Sequence, residues 1–553
     1  MTHNVNKTGF AFIRYISSVI FILAVSIFFS CSTISFQQRQ PLSPIVRVGI
    51  ILNAEEIEFQ PNARMTITPK QDGKKYRSDQ TDVWSVRVNK KSVSTSPYRL
   101  LLGEFKTKSD AKKANKTFQE QKIKTEIVQR GNELWFGGKL IAGSSSFRLL
   151  VAQTFESKKQ AEDVQRGHIA FKDASVIPGD DPLTGELILI SPKGEHLTVK
   201  DAVRLSDAPF TIHNVKVGEG YHWSRQEERT YHGELEIRIN KDGNLVAINV
   251  LPLEQYLLGV LPGEMSATFP LEALKAQAIA ARTYFLHNFD RVHQDDPFDV
   301  CADVHCQVYI GATESEDKII KAVRETRGLV LMHNDMLCST PFSAMCGGHT
   351  EDSGNVWSSE TIPYLRGSFD IENPERIESK FDLSQEDNAR KWIESLPEVF
   401  CNIKKSDSPP YANYATKYFR WEMSFTRQEL QANIESYTGQ KFGDLIDMRA
   451  KSRGVSGRII ELEIVGSANR LTIGKELRIR KALSPTTLYS ACIVFDKIGT
   501  KNGLPTAFLI KGAGWGHGVG MCQIGAAIRA EKGFDANEIL SFYYKGTRIK
   551  QLY

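Results

Sequence analysis

The chain has few cysteines and little net charge, and these two shortages exclude several classes of protein. Its 553 residues include 8 cysteines, far below the density of a small scaffold held together by disulfides. The 70 lysines and arginines nearly balance the 65 aspartates and glutamates, which leaves a net charge of +5. That excess is too small for a dedicated nucleic-acid binder, so we expect no nucleic acid as a partner. With 41% hydrophobic and 24% charged residues, the composition is that of soluble globular domains.

Long apolar runs are also missing, except near the N-terminus. Residues 15–30 carry no charge and follow the basic residues Lys7 and Arg14. About sixteen apolar residues after a basic start are typical of a signal peptide, so we expect residues 1–30 to direct export. The Ser30-Cys31 step resembles a bacterial lipobox, which implies a lipid on Cys31, a membrane anchor outside the cytoplasm and a tether over residues 31–44. An uncleaved N-terminal anchor is the alternative.

The next part of the chain predicts short strands and an internal repeat. Residues 45–95 read as a strand-rich segment. Tyr98–Leu102 and Phe147–Val151 then share one pattern, an apolar strand followed by a turn and an amphipathic helix. Residues 96–175 resemble the SPOR-type module, which implies binding to bare glycan strands of peptidoglycan. A generic α+β accessory domain is the alternative.

Glu264 is the most informative acidic residue, because it precedes a strongly patterned segment. Apolar side chains recur there at steps of three or four residues and predict a buried helix. Glu264 itself follows Leu261 and precedes Met265 and Phe269. Apolar surroundings favour the protonated form of a carboxyl, as a general acid requires. A helix cap or an ion pair with a cation is the alternative role.

Four blocks resemble, in order, the stage II sporulation protein D family, which includes the amidase enhancers. The blocks are Pro262–Met265 with Leu271–Gln277, Cys301–Tyr309, Phe342–Glu351 and Gly514–Ala526. The resemblance spans residues 205–553 and implies an α+β fold of antiparallel strands and helices. It also implies lytic transglycosylase activity on peptidoglycan, with the glutamate of the first block, Glu264, as the catalytic acid.

The second block contains residues of the kind that bind metal ions. Cys301, His305 and Cys306 offer two thiolates and an imidazole at short spacing, which suits Zn²⁺. Some family members bind zinc through an upstream histidine, which makes His293 the candidate fourth ligand and leaves His287 as an alternative. A Cys301–Cys306 disulfide is the alternative to a metal. We expect a structural zinc, because a closed shell of protein ligands leaves no position for a reacting water.

The third and fourth blocks supply candidate substrate-binding residues. Ser343 and His349 lie in the third block, and His517 and Gln523 lie in the fourth. The glycine-rich run of the fourth block lacks the Lys-Ser/Thr of a nucleotide P-loop, so we interpret it as a turn close to the substrate. A buried structural role is the alternative for each histidine. Spacing predicts no pairing for the remaining cysteines, which are Cys338, Cys346, Cys401, Cys492 and Cys522.

The function that fits these features is cleavage of a glycan by a single carboxyl group. Ordinary glycosidases use two carboxylates, whereas only Glu264 stands out here, as a lytic transglycosylase requires. The alternative is a non-catalytic amidase enhancer that binds peptidoglycan and acts on a cell-wall amidase. A zinc hydrolase is a third reading. In the first reading, Glu264 lines a groove long enough for a glycan.

Overall fold

Most strands before residue 95 pair with strands from residue 185 onwards, so the N-terminal segment shares its sheets with later parts of the chain. In a computed structural model, residues 43–553 are described except for 71–74, 80, 92–97, 180–184, 312–315, 358–359, 375–380, 405 and 407. The predicted signal peptide, Cys31 and most of the predicted tether lie outside the described residues. Within the described residues, no helix has the length and apolar character that a bilayer crossing requires.

Two sheets form the N-terminal half of the structure. Ile45–Ala54 pairs with Leu245–Pro252, and the first described strand is second from one edge of a seven-stranded sheet. In order, its strands are Val300–Cys301, Ile45–Ala54, Leu245–Pro252, Glu234–Ile239, Ala202–Ser206, Met65–Pro69 and Tyr76–Ser78. The six-stranded sheet has the order His196–Lys200, Gly185–Ile190, Trp84–Lys91, Glu56–Pro61, Phe210–Val217 and Arg225–Tyr231. Glu234–Ile239 and Leu245–Pro252 form an antiparallel hairpin within the first sheet.

The internal repeat of the sequence is a structural repeat. Each copy is a strand followed by a helix, and the alanines Ala111 and Ala161 at matching helix positions are fully buried. The four-stranded sheet has the order Ser175–Pro178, Tyr98–Phe105, Ser146–Phe155 and Thr125–Arg130, with helices Lys108–Glu120 and Lys158–Gly167. A hairpin of Glu133–Phe136 and Lys139–Gly143 belongs to the same stretch. Glycan binding by this module remains a prediction.

The C-terminal half packs around the predicted helix, which runs from Leu271 to Asn288 and is here called the central helix. Its side chains are buried on nearly every face, because helices contact it from several sides. These neighbours are Leu253–Glu264, Asp317–Glu325, Gln523–Glu531 and Ala536–Tyr543. The charge of Arg282, at full burial, is balanced by two short bonds of 2.6 and 2.8 Å to Glu254.

Smaller elements complete the described structure. The other helices are Ile169–Phe171, Ser353–Val356, Glu386–Glu394, Pro410–Ala415, Thr416–Phe419, Arg427–Thr438 and Glu476–Leu483. The other strands are Leu329–His333, Met336–Leu337, Phe342–Ser343, Arg420–Thr426, Leu445–Arg453, Ile459–Gly466, Arg470–Gly474, Ile493–Lys501, Leu504–Ala513, Met521–Cys522 and Arg548–Gln551. Helices and mainly antiparallel strands thus occur together, and the predicted α+β class is confirmed.

Candidate active site around Glu264

Two glycines allow the helix Leu253–Glu264 to lie directly against the backbone of residues 308–311. A Cβ atom on Gly259 would stand 2.5 Å from the carbonyl oxygen of Gly311. A Cβ atom on Gly263 would stand 2.7 Å from the carbonyl oxygen of Val308. Both distances are shorter than atoms at van der Waals contact allow. The glycine immediately before Glu264 is therefore a packing requirement of this site.

Glu264 is the last residue of that helix and reaches across to the neighbouring segment. It does not cap the central helix, whose N-cap is Pro270. One carboxylate oxygen of Glu264 accepts the Val308 N–H at 2.9 Å, and the other accepts the side-chain amide of Gln523 at 3.4 Å. The side chain is half-buried, and no described Lys, Arg or His forms an ion pair with it. Neither a helix cap nor a salt bridge thus accounts for this carboxyl.

The surroundings of Glu264 favour its protonated form. Burial raises the pKa of Glu264 from 4.5 to about 7, and the hydrogen bonds from Val308 and Gln523 lower the pKa and so limit the rise. Desolvation penalises the charged form, whereas donors directed at the carboxylate favour it. Near neutral pH the carboxyl therefore exists in both forms, which is what a group that first donates and then accepts a proton needs.

The four predicted metal ligands come together beside this segment. The ligand atoms of His293, Cys301, His305 and Cys306 all lie within 4.8 Å of one another. His293 Nε2 is 3.3 Å from the sulfur of Cys306, and His305 Nδ1 is 3.7 Å from both sulfurs. Zinc bonds of about 2.0–2.3 Å in a tetrahedron place ligand atoms about 3.3–3.8 Å apart. The donor set and its spacing therefore fit a zinc ion.

A carboxylate orients the upstream histidine of this cluster. His293 Nδ1 lies 2.9 Å from Asp296, so that Nε2 is the nitrogen directed at the sulfurs. Carboxylates commonly hold zinc-binding histidines in this way. His287, the other histidine considered, instead directs Nδ1 at the carbonyl oxygen of Leu337 and lies outside the cluster.

The metal-ligand cluster is linked to Glu264 through two residues of backbone. Cys306 is followed by Gln307, whose side chain accepts the hydroxyl of Tyr256 at 3.0 Å. Val308 comes next and donates its N–H to Glu264. Anything that fixes the position of Cys306 therefore also fixes the donor that orients the Glu264 carboxyl.

The fourth block approaches the site through Gln523. This side chain is buried and lies 3.4 Å from both Glu264 and Gln277. The short strand Phe342–Ser343 runs parallel to Met521–Cys522 and joins the third block to the fourth. Ser343 is buried, and its hydroxyl is a polar atom without a hydrogen-bond partner among the described residues. Gln523 thus contacts the carboxyl, whereas Ser343 lies in the support behind it.

The two candidate histidines occupy different surroundings. His349 is buried against Phe369, its Nδ1 donates to the carbonyl oxygen of Thr350 at 2.6 Å, and burial lowers its pKa to about 4. This favours the structural role that the sequence left open. His517 is half-buried, its Nδ1 accepts the Val519 N–H at 3.0 Å, and burial lowers its pKa to about 3. His517 is therefore neutral, and a backbone hydrogen bond with Phe342 also engages its ring.

Aromatic residues near Glu264 were not predicted from the sequence. Trp515 packs against Tyr418 with ring centroids 4.2 Å apart, and Tyr414 lies edge-on to Trp515 at 6.4 Å. Tyr414 remains 43% exposed. Burial of its hydroxyl is the main cause that raises its pKa to about 12, and the charges of Cys522 and Glu264 add to the rise, so Tyr414 lies within electrostatic reach of Glu264. Of these three residues, only Trp515 lies in one of the four blocks identified in the sequence.

Comparison with known proteins gives two family matches and several relatives. A family model described as stage II sporulation protein matches residues 241–333, and a domain of unknown function (DUF8618) matches residues 351–520. An uncharacterized protein of Brachyspira hyodysenteriae is 31% identical over 319 residues, which cover 58% of this chain and 72% of that protein. The amidase enhancer of Bacillus subtilis is 31% identical over 300 residues, 53% of this chain and 40% of that protein. Stage II sporulation protein D of Bacillus subtilis is 29% identical over 319 residues, 55% of this chain and 76% of that protein.

We predict that Gly263→Ala destabilises the protein by about 1–3 kcal/mol, the usual cost of forcing extra volume into a packed contact. The new methyl group would overlap the Val308 carbonyl and separate Glu264 from its N–H donor. Thermal and urea unfolding measure the loss. Gly167→Ala is the matched control, because nothing lies within 4 Å of a Cβ atom placed there. Equal stability of the two variants would contradict the close contact.

Proposed function

The chain belongs to the stage II sporulation protein D family, and we propose that it is a peptidoglycan lytic transglycosylase with Glu264 as its general acid and base. The observation that carries the proposal is the half-buried Glu264 carboxyl, with a pKa of about 7 and no ion pair among the described residues. Perturbed acids in partly open positions are typical of active sites. The family resemblance of the four blocks independently gives the same residue this role.

Cleavage would proceed in two proton transfers that involve the same carboxyl. Protonated Glu264 donates its proton to the glycosidic oxygen between MurNAc and GlcNAc, and the bond from the MurNAc anomeric carbon to that oxygen breaks. The C6 hydroxyl of the same MurNAc then bonds to the anomeric carbon and gives its proton to the Glu264 carboxylate. The products are a GlcNAc hydroxyl end and a 1,6-anhydroMurNAc end, with no water consumed and the acid restored.

The contacts of Glu264 suit both halves of this cycle. The Val308 N–H holds one oxygen in place, and the Gln523 amide faces the other. Both donors interact more strongly with the charged carboxylate than with the neutral acid, so they stabilise the state that follows the first proton transfer.

The surface near Glu264 offers groups that suit a sugar chain. Tyr414 exposes part of its ring close to Trp515, and apolar faces of sugars pack on such rings. His517 lies 5.0 Å, ring to ring, from Trp357, which is 52% exposed. We propose that the glycan runs along these rings. The SPOR-like module would add a second contact with peptidoglycan.

We propose a structural zinc held by His293, Cys301, His305 and Cys306. When bound, zinc would supply a rigid cross-link, since all four tetrahedral positions are filled by protein ligands. Its effect on the site would pass through Cys306 to Val308 and thus to the Glu264 carboxyl. The proposed location is the cell envelope, outside the cytoplasm, with a lipid on Cys31 as the membrane anchor.

The similarity to the amidase enhancer of Bacillus subtilis favours a second function. In that case this chain would bind glycan strands and increase the activity of a cell-wall amidase without cutting sugars. The same aromatic surface and SPOR-like module would serve binding alone. Release of sugar fragments by the isolated protein separates the two functions.

We predict that the wild-type protein releases fragments ending in 1,6-anhydroMurNAc and that Glu264→Gln reduces the rate by about 10²–10⁴-fold, the usual contribution of a general acid. The amide keeps an acceptor for the Val308 N–H but has no proton of suitable acidity. Mass spectrometry of digests of intact and peptide-free glycan strands gives both rates. Glu272→Gln is the matched control, because Glu272 lies on the central helix and pairs with Lys275. Equal yields from Glu264→Gln and wild type would remove Glu264 from the mechanism.

The pH dependence follows from the raised pKa of Glu264. The active form is the protonated acid, so kcat/KM should fall about tenfold per pH unit above about pH 7. Gln523→Leu removes a hydrogen-bond donor that lowers the pKa of Glu264, so the fall of kcat/KM at high pH should begin at a higher pH. Initial rates between pH 5 and 9, measured at about the same ionic strength, provide the profile. A fall in kcat/KM that begins near pH 4.5 in the wild type would mean that burial does not raise the pKa of Glu264.

Removal of zinc should lower the thermal unfolding midpoint and the rate of glycan cleavage together, because the metal supports Val308 and takes no part in the reaction. Chelator treatment and His293→Ala should have the same effect. His287→Ala, a histidine outside the cluster, should retain both properties. Loss of turnover at an unchanged unfolding midpoint would favour the zinc hydrolase reading instead.

A further inference from the structure

A second group of metal-ligating side chains lies buried between the third and fourth blocks. The sulfurs of three cysteines and a carboxylate oxygen all lie within 4.8 Å of one another. Its members are Cys346, Asp370, Cys401 and Cys522. All four are at most 2% exposed. They come from four separate segments of the chain, so no local spacing pattern predicts the cluster.

We propose that these four residues bind a second zinc ion, which is structural. The sulfurs of Cys346 and Cys401 are 3.6 Å apart, and the sulfur of Cys346 is 3.7 Å from Oδ2 of Asp370. Tetrahedral zinc, with bonds of about 2.3 Å to sulfur and 2.0–2.2 Å to oxygen, places such atoms about 3.5–3.8 Å apart. A disulfide would require the two sulfurs at about 2.05 Å. Thiolates select zinc over the hard cations Ca²⁺ and Mg²⁺.

The groups around the cluster hold its ligands in the forms that a metal requires. The sulfur of Cys522 accepts the N–H groups of Cys346 at 3.3 Å and Gly525 at 3.4 Å, as a thiolate does. Oδ1 of Asp370 accepts the hydroxyl of Tyr543 at 2.8 Å, which leaves Oδ2 directed at the sulfurs. Outer contacts of this kind are typical of metal sites.

Space and charge around the cluster agree with a bound cation. A Cβ atom on Gly525 would lie 2.2 Å from Oδ2 of Asp370, so only glycine lets the helix Gln523–Glu531 come this close. Arg529 is the cation that approaches Asp370, at 3.7 Å. If a divalent ion displaced the thiol protons, its charge would balance the buried anionic ligands, which Arg529 alone could not do.

The second zinc would join the blocks that surround Glu264. Cys346 belongs to the third block, and Cys522 immediately precedes Gln523, whose amide faces the Glu264 carboxyl. The inference does not depend on glycan cleavage, because metal binding is measured without any substrate.

Metal content of the purified full chain tests the inference. Protein from zinc-supplemented cells, kept reduced and passed through gel filtration, should contain two zinc ions per chain by elemental mass spectrometry. Cys401→Ser and Cys306→Ser should each contain one, and the double variant none. Cys338→Ser is the matched control, a buried cysteine outside both clusters, and should contain two.

Two measurements keep the test independent of how well Cys401→Ser folds. Cys306→Ser, which retains the second cluster, should bind one Co²⁺ and show the strong near-ultraviolet absorption of several thiolate ligands. The same zinc content in the wild type and in a folded Cys401→Ser, whether one ion or two, would overturn the inference. A metal-free Cys346–Cys401 disulfide, found by peptide mapping of unreduced protein, would also overturn it.

Discussion

The site depends on one close contact, between the end of the helix Leu253–Glu264 and the backbone of residues 308–311. Gly259 and Gly263 permit that contact, since a side chain at either position would collide with a carbonyl oxygen. The contact places Glu264 beside the Val308 N–H and surrounds its carboxyl with protein. The raised pKa follows from this partial burial, because the two hydrogen-bond donors found among the described residues compensate only in part for lost water.

The two proposed zinc sites lie on either side of that contact. The first ends at Cys306, two residues before Val308, and the second includes Cys522, one residue before Gln523. Val308 and Gln523 are the two residues that donate hydrogen bonds to Glu264. When bound, the two metal ions would limit the motion of the segments that carry these donors.

The sequence predicted the elements whose signals are local. The period of the central helix, the repeated strand and helix of residues 98–167 and the four clustered ligands around Cys301 each depend on residues close in the chain. The pairing of Ile45–Ala54 with Leu245–Pro252 was not predicted, since strand partners far apart leave no local pattern. The second ligand cluster and the place of Tyr414 near Glu264 were not predicted for the same reason. The burial of Ser343 and His349 in the third block was not predicted either, because burial depends on the whole fold.

The protonation of Glu264 is the central claim, and difference infrared spectroscopy tests it directly. The carbonyl band of a protonated carboxylic acid, present in the wild type and absent from Glu264→Gln, reports on this one group as pH changes. The account predicts a band that disappears with a midpoint near pH 7. A midpoint near 4.5, the ordinary value for glutamate, would show an open and solvated carboxyl and would contradict the account.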